Sequence, residues 1–143
     1  MADVLSKQDV QDVLEVIKQL YLEDRIPWIC GYSGGKDSTA IVQLVWMALR
    51  QIPKEKRVKT VHVISTDTMV ESPVVAVWSS QSLKKMAEAA AAEDLPIIPH
   101  RLTPEIRNTY WVQVIGRGYP YPRQNFRWCT DRMKIAPANN FIK

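Results

Sequence analysis

Apolar residues recur at helical spacing at Val10, Val13, Leu14, Ile17, Leu20 and Tyr21, which predicts a first helix ending near Glu23. Ser6, with Asp9 three positions on, reads as its N-cap. The continuous apolar run over 27–32 predicts a strand in a buried parallel position. Helical spacing returns from Asp37 to about Gln51, with Ile41, Leu44, Val45, Ala48 and Leu49 facing inward. A charged loop at 53–57 precedes a second strand over 59–65, which ends at Thr66-Asp67-Thr68. Pro73 suits the first turn of a third helix. This helix runs through Leu83, Met86 and the Ala-rich stretch 87–92, and closes at Asp94 and Pro96. A third strand over 97–102 is placed near a sheet edge, because Pro99 cannot donate to a ladder. Thr103-Pro104-Glu105 can open a helix, although Tyr110-Trp111-Val112 is also strand-like. Residues 116–128 read as irregular, with a short helical turn at 130–135. No repeat or low-complexity linker interrupts the pattern.

This alternation predicts an α/β fold: one domain over 1–143, with a parallel twisted sheet and helices on both faces. Ligands in such sheets sit beyond the carboxyl ends of the strands. The segment 33–38 and Asp67 both fall there and are expected to converge.

Composition narrows the class. Hydrophobic residues make up 46% of the 143, an ordinary globular proportion, and no apolar run reaches membrane-span length. Met1-Ala2-Asp3-Val4 lacks a signal-peptide pattern. Cys30 and Cys129 lie too far apart in sequence to suggest a disulfide scaffold, so a reducing cytoplasm is the expected location. The net charge of +4 is uneven. Residues 101–143 carry eight Lys or Arg against Glu105 and Asp131, and they hold seven aromatics. Arginines interleaved with aromatic rings suit a polyanion with stackable bases. A solvated basic face around core aromatics is the plainer alternative.

The candidate chemistry begins at Ser33-Gly34-Gly35-Lys36-Asp37-Ser38. Two glycines let backbone N–H groups close around an anion, Lys36 adds a cation, and the helix that follows points free N–H groups at the same place. The loop is not a Walker A sequence, since position 30 is Cys and position 37 is Asp. Asp37 suits either a helix cap or a Mg²⁺ ligand. Asp67 is placed to orient a nucleotide or hold Mg²⁺, with a cap or turn as the plainer alternative; Thr66 is assigned to the nucleotide, and Glu71 is a weaker candidate. Arg132 and Lys134 are spaced to reach one anion, and exposed charge is the alternative. The arginines around Cys129, including Arg127, would favour a thiolate. Cys30 reads as structural, and His62 and His100 receive no role.

The hexapeptide resembles the S-G-G-x-D-S loop of the PP-loop ATP pyrophosphatases, which have an adenine nucleotide alpha hydrolase-like fold. The later blocks 67–73, 108–111, 116–120 and 127–135 are similar to the DndC family of DNA phosphorothioation proteins, relatives of PAPS reductases. The resemblance implies an ATP-dependent sulfurtransferase in which ATP adenylates a DNA backbone phosphate. Sulfur supplied by a cysteine desulfurase then displaces AMP, with other DNA phosphorothioation proteins as partners. It implies that Ser33, Gly34, Gly35, Lys36, Asp37 and Ser38 hold pyrophosphate, with Lys36, Asp37 and Arg132 catalytic. Arg127, Arg132 and Lys134 would hold the substrate anion, and Cys129 would be the first ligand of a [4Fe–4S] cluster. Further cysteines are expected after Cys129, so the sequence reads as a fragment lacking a C-terminal extension. The alternatives are a sulfonucleotide reductase-like enzyme and a non-catalytic module binding ATP or nucleic acid.

Overall fold

The computed structural model describes residues 6–143; the signal-peptide reading of Met1–Val4 lies outside them. The chain forms an α/β fold of two compact units. One comprises the residues up to Val63 with Met86–Ile98, the other Ile64–Lys85 with Pro99–Lys143. Strands β1 (Trp28–Gly31), β2 (Val61–Thr66) and β3 (Ile97–Leu102) form a sheet in the order β1-β2-β3. Val61 N donates to Pro96 O and Asp67 N to Leu102 O. The partner advances six residues with the strand, which makes this pairing parallel.

β3 is an edge strand, as Pro99 requires. β1 is the other edge, not the buried strand its apolar run predicts: its burial alternates, and Ile29 is 40% exposed. Among the described residues no strand lies beyond it.

In the first unit, α1 (Lys7–Glu23) opens on a reciprocal cap: Asp9 N donates to Ser6 Oγ (3.1 Å) and Ser6 N to Asp9 Oδ2 (2.7 Å). Leu14 and Tyr21 are its buried residues. They pack with α2 (Lys36–Gln51), which buries Val42, Val45, Ala48 and Leu49. Ile41, predicted to face inward, is exposed and Val42 is buried instead, while Val45, Ala48 and Leu49 are buried as predicted.

Lys59 is fully buried in this unit. Its ammonium lies 2.6 Å from Asp24 and 4.9 Å from the centre of the Trp28 ring. The Tyr21 hydroxyl donates to Lys59 O and accepts from Lys59 N at 3.0 Å. A buried ammonium is tolerable only with such partners.

Helix α3 (Pro73–Ala92) begins with Val75 N donating to Ser72 Oγ at 3.4 Å, with Pro73 at the first position. It ends in a Schellman motif. Leu95 N donates to Ala90 O and Asp94 N to Ala91 O, with Asp94 left-handed at φ 52°.

The last forty residues are more helical than their sequence predicts. Tyr110 and Trp111 lead into a π turn over Val112–Gly116, so the strand-like option at 110–112 is not adopted. The turn predicted at 130–135 extends to a helical run: α4 (Trp128–Thr130), a second π turn (Asp131–Ile135) and α5 (Ala136–Ile142). Ala136 N bonds Asp131 O, five residues back. Pro137 falls inside this continuous run, where it has no N–H to give to the turn before it.

No helix among the described residues is long and apolar enough to cross a membrane.

Candidate functional site

Two places gather the candidate residues, one in each unit. In the first unit the chain leaves β1 and turns into α2 through Ser33–Gly35. Gly34 has φ 76°, a left-handed conformation that side chains resist. Ser33 Oγ and Ser38 Oγ lie 3.1 Å apart, and Ser38 Oγ donates to Gly35 O at 3.1 Å. These contacts close the loop on itself. Gly35 is the N-cap of α2 and supplies no side-chain cap bond.

The opening N–H groups of a sixteen-residue helix therefore lack a protein cap, beside a loop bearing two glycines. Lys36 is the first helical residue and not part of the loop, one position earlier than predicted. Lys36 and Asp37 are both exposed. Asp37 makes no cap bond, so its carboxylate stands at the helix N-terminus, where the macrodipole favours negative charge. Cys30, in β1, is partly buried, which pushes its thiol pKa up and fits a structural role.

The second place is built after β2 and β3 from the other unit. The Arg101 guanidinium bonds Asp67 Oδ2 through Nε (3.1 Å) and Nη2, and Met69 N donates to Asp67 Oδ1 at 2.8 Å. Burial pulls the Asp67 carboxyl up, but Arg101 and the Met69 N–H outweigh it and hold its pKa below the ordinary value. Met69 is left-handed at φ 62°, a strained conformation for a methionine. Asp67, Met69, Glu71, Ala76, Arg101 and Thr103 line a cavity of about 420 Å³. Thr66 is the last residue of β2.

Arg101 and Thr103 also border a neighbouring cavity of about 290 Å³, lined further by Glu105, Asn108, Arg132 and Asn140. Arg132 is fixed there. Its Nη1 donates to Gln113 Oε1 and its Nη2 to the Tyr119 hydroxyl, each at 2.7 Å. Gln113 is fully buried and donates through Nε2 to Arg107 O at 2.6 Å. Gln113 and Arg132 come from the two π turns, and such turns often mark functional sites. The result is a cavity bordered by two guanidiniums, with amides from Asn108 and Asn140. That set suits an anion with several oxygens.

The predicted anion trio is not gathered here. Arg132 borders the cavity, whereas Arg127 and Lys134 are exposed and are not among its lining residues. Sequence reasoning missed Arg101, Gln113 and Tyr119. The parallel register could have revealed Arg101, since it places residue 102 beside 67. Nothing in the sequence marks Gln113.

Cys129 is partly exposed in α4. Among the described residues no three His, Cys, Asp or Glu side chains are grouped to hold a metal. The chain's two cysteines fall short of the four thiolates of a [4Fe–4S] cluster, so the residues present do not fit that group alone.

No protein-family model matches the chain. It is similar to the uncharacterized protein MJ0066 of Methanocaldococcus jannaschii, at 27% identity over 133 residues. That alignment covers 93% of this chain and 23% of the archaeal protein, so the chain spans under a quarter of that relative's length.

Proposed function

We propose that this chain is the nucleotide-handling part of a PP-loop ATP-pyrophosphatase-type sulfurtransferase acting on DNA. The observation that carries the reading is the uncapped N-terminus of α2 behind Gly34 and Gly35, with Lys36 exposed at its first position. In this reading the N–H groups and Lys36 take the β- and γ-phosphates of ATP. A non-bridging oxygen of a DNA phosphate attacks the α-phosphorus, the bond to the β-phosphate oxygen breaks, and pyrophosphate leaves. The terminal sulfur of a persulfide supplied by a cysteine desulfurase then attacks the DNA phosphorus, AMP departs with the original oxygen, and a thiol reductant cleaves the remaining S–S bond to leave the phosphorothioate. Within the second unit, Arg132, preorganised by Gln113 and Tyr119, borders one cavity with Arg101 and is suited to phosphate oxygens.

Mg²⁺ bound with ATP would neutralise phosphate charge. Asp37 suits it better than Asp67, because both Asp67 oxygens already accept hydrogen bonds. Any [4Fe–4S] cluster would draw on ligands outside this chain.

The test is exchange of labelled pyrophosphate into ATP, with and without DNA. DNA-stimulated exchange, reduced about tenfold or more in Lys36→Ala through lost phosphate binding, is the expected result. ADP with orthophosphate as products, or exchange indifferent to Lys36, would overturn the reading.

A further inference from the structure

The segment 121–127 exposes aromatic rings and arginines together on a rigid support. Arg123 and Phe126 pair as a two-residue hairpin. Arg123 N donates to Phe126 O at 3.1 Å and Phe126 N to Arg123 O at 2.9 Å. Its root is fixed by Trp128, which is 5% exposed and donates through Nε1 to Pro120 O at 3.0 Å. Tyr119 stacks on Phe126 with centroids 6.4 Å apart and planes 17° from parallel. Tyr119 also meets Trp128 edge-on at 5.8 Å. Phe126 thus has ring support on one side and is still 43% exposed; Tyr121 is 66% exposed. Arg123 and Arg127 flank Phe126 in sequence and are exposed. Among the described residues no side-chain hydrogen bond or ion pair engages either guanidinium.

Resting on the reading that the acceptor is a DNA phosphate, we propose that this hairpin is a stacking platform for single-stranded nucleic acid. Phe126 and Tyr121 would take the faces of unpaired bases, and Arg123 and Arg127 the adjoining phosphates. The charge selects a polyanion. The open ring faces select one with unstacked bases, because in a duplex both faces of every base are already covered. The hairpin is held in place before binding, so stacking carries little ordering cost.

Fluorescence anisotropy with a labelled oligothymidylate, a duplex of equal length and vesicles of anionic phospholipid tests this on the intact chain. The single strand should bind more tightly than the duplex, and Phe126→Ala should weaken only the single strand, by about fivefold or more. Arg123→Ala should weaken both nucleic acids. An unchanged single-strand affinity in Phe126→Ala, a duplex bound equally well, or vesicles bound as well as the oligonucleotide would each overturn the proposal. Pyrophosphate exchange separates it from the functional reading. Duplex-only stimulation with Phe126 indifferent sinks the platform and spares the enzyme. Expected binding without any exchange sinks the enzyme and spares the platform.

Discussion

Asp67 shows how one side chain can be read for structure and chemistry at once. Its carboxyl is held below its ordinary pKa by Arg101 and the Met69 N–H, against the opposing effect of burial. A depressed folded-state pKa contributes stability that is fully present above the unfolded value of about 4. That contribution is lost as pH falls through the folded value. The Arg101 side chain is 48% exposed, so solvent screening limits the effect to about 1 kcal/mol. Between about pH 6 and pH 3 the parent protein should therefore lose about 1 kcal/mol more stability than Asp67→Asn. Urea titrations at the two pH values measure this, and identical acid sensitivity would refute it. At this scale the glycine loop was legible in the sequence, because a left-handed turn before an amphipathic helix demands particular residue types. The Arg132–Gln113–Tyr119 arrangement was not. It depends on two widened turns, distant in sequence, bringing a neutral amide to a guanidinium.

Among the elements, α1 depends on more than its apolar stripe. Its Tyr21 hydroxyl serves both backbone groups of Lys59, tying the end of α1 to the segment before β2. Tyr21→Phe leaves a buried N–H and C=O without this partner, at a cost of about 2 kcal/mol. Thermal unfolding should report that loss with ATP binding unchanged; a neutral substitution would mean water replaces the hydroxyl. Both long helices of the first unit were legible from their period, and α1 also from its capping, since Ser6 and Asp9 form the cap they predict. The misplacement of Ile41 shows the limit of periodicity. A stripe wide enough to include positions 41 and 42 does not say which edge of it the neighbouring helix covers. The edge position of β1 was illegible for a related reason, as a continuous apolar run does not reveal how many strands flank it. Residues 110–116 were ambiguous because local preference supported two structures, and burial of Gln113 accompanies the helical one.

Across the whole molecule the charge is segregated, with a surplus of six cations in residues 101–143. If those cations meet phosphates, oligonucleotide affinity should fall about tenfold or more between roughly 50 and 200 mM salt, because bound counterions are released. A flat response in a salt titration would reduce the surplus to solvated surface. The π turn at Asp131–Ile135 has a consequence of another kind. It winds one residue more into its span than an α-helix would, so one residue there is surplus to the helix. Excising it would let the turn close as an ordinary α-helix, and the residues downstream would keep their direction around the axis. Phe141, whose ring lies 4.6 Å from that of His100, would stay beside it. What the deletion would remove is the widened turn that carries Arg132, so length in this stretch is tied to the cavity and not to the helix that follows.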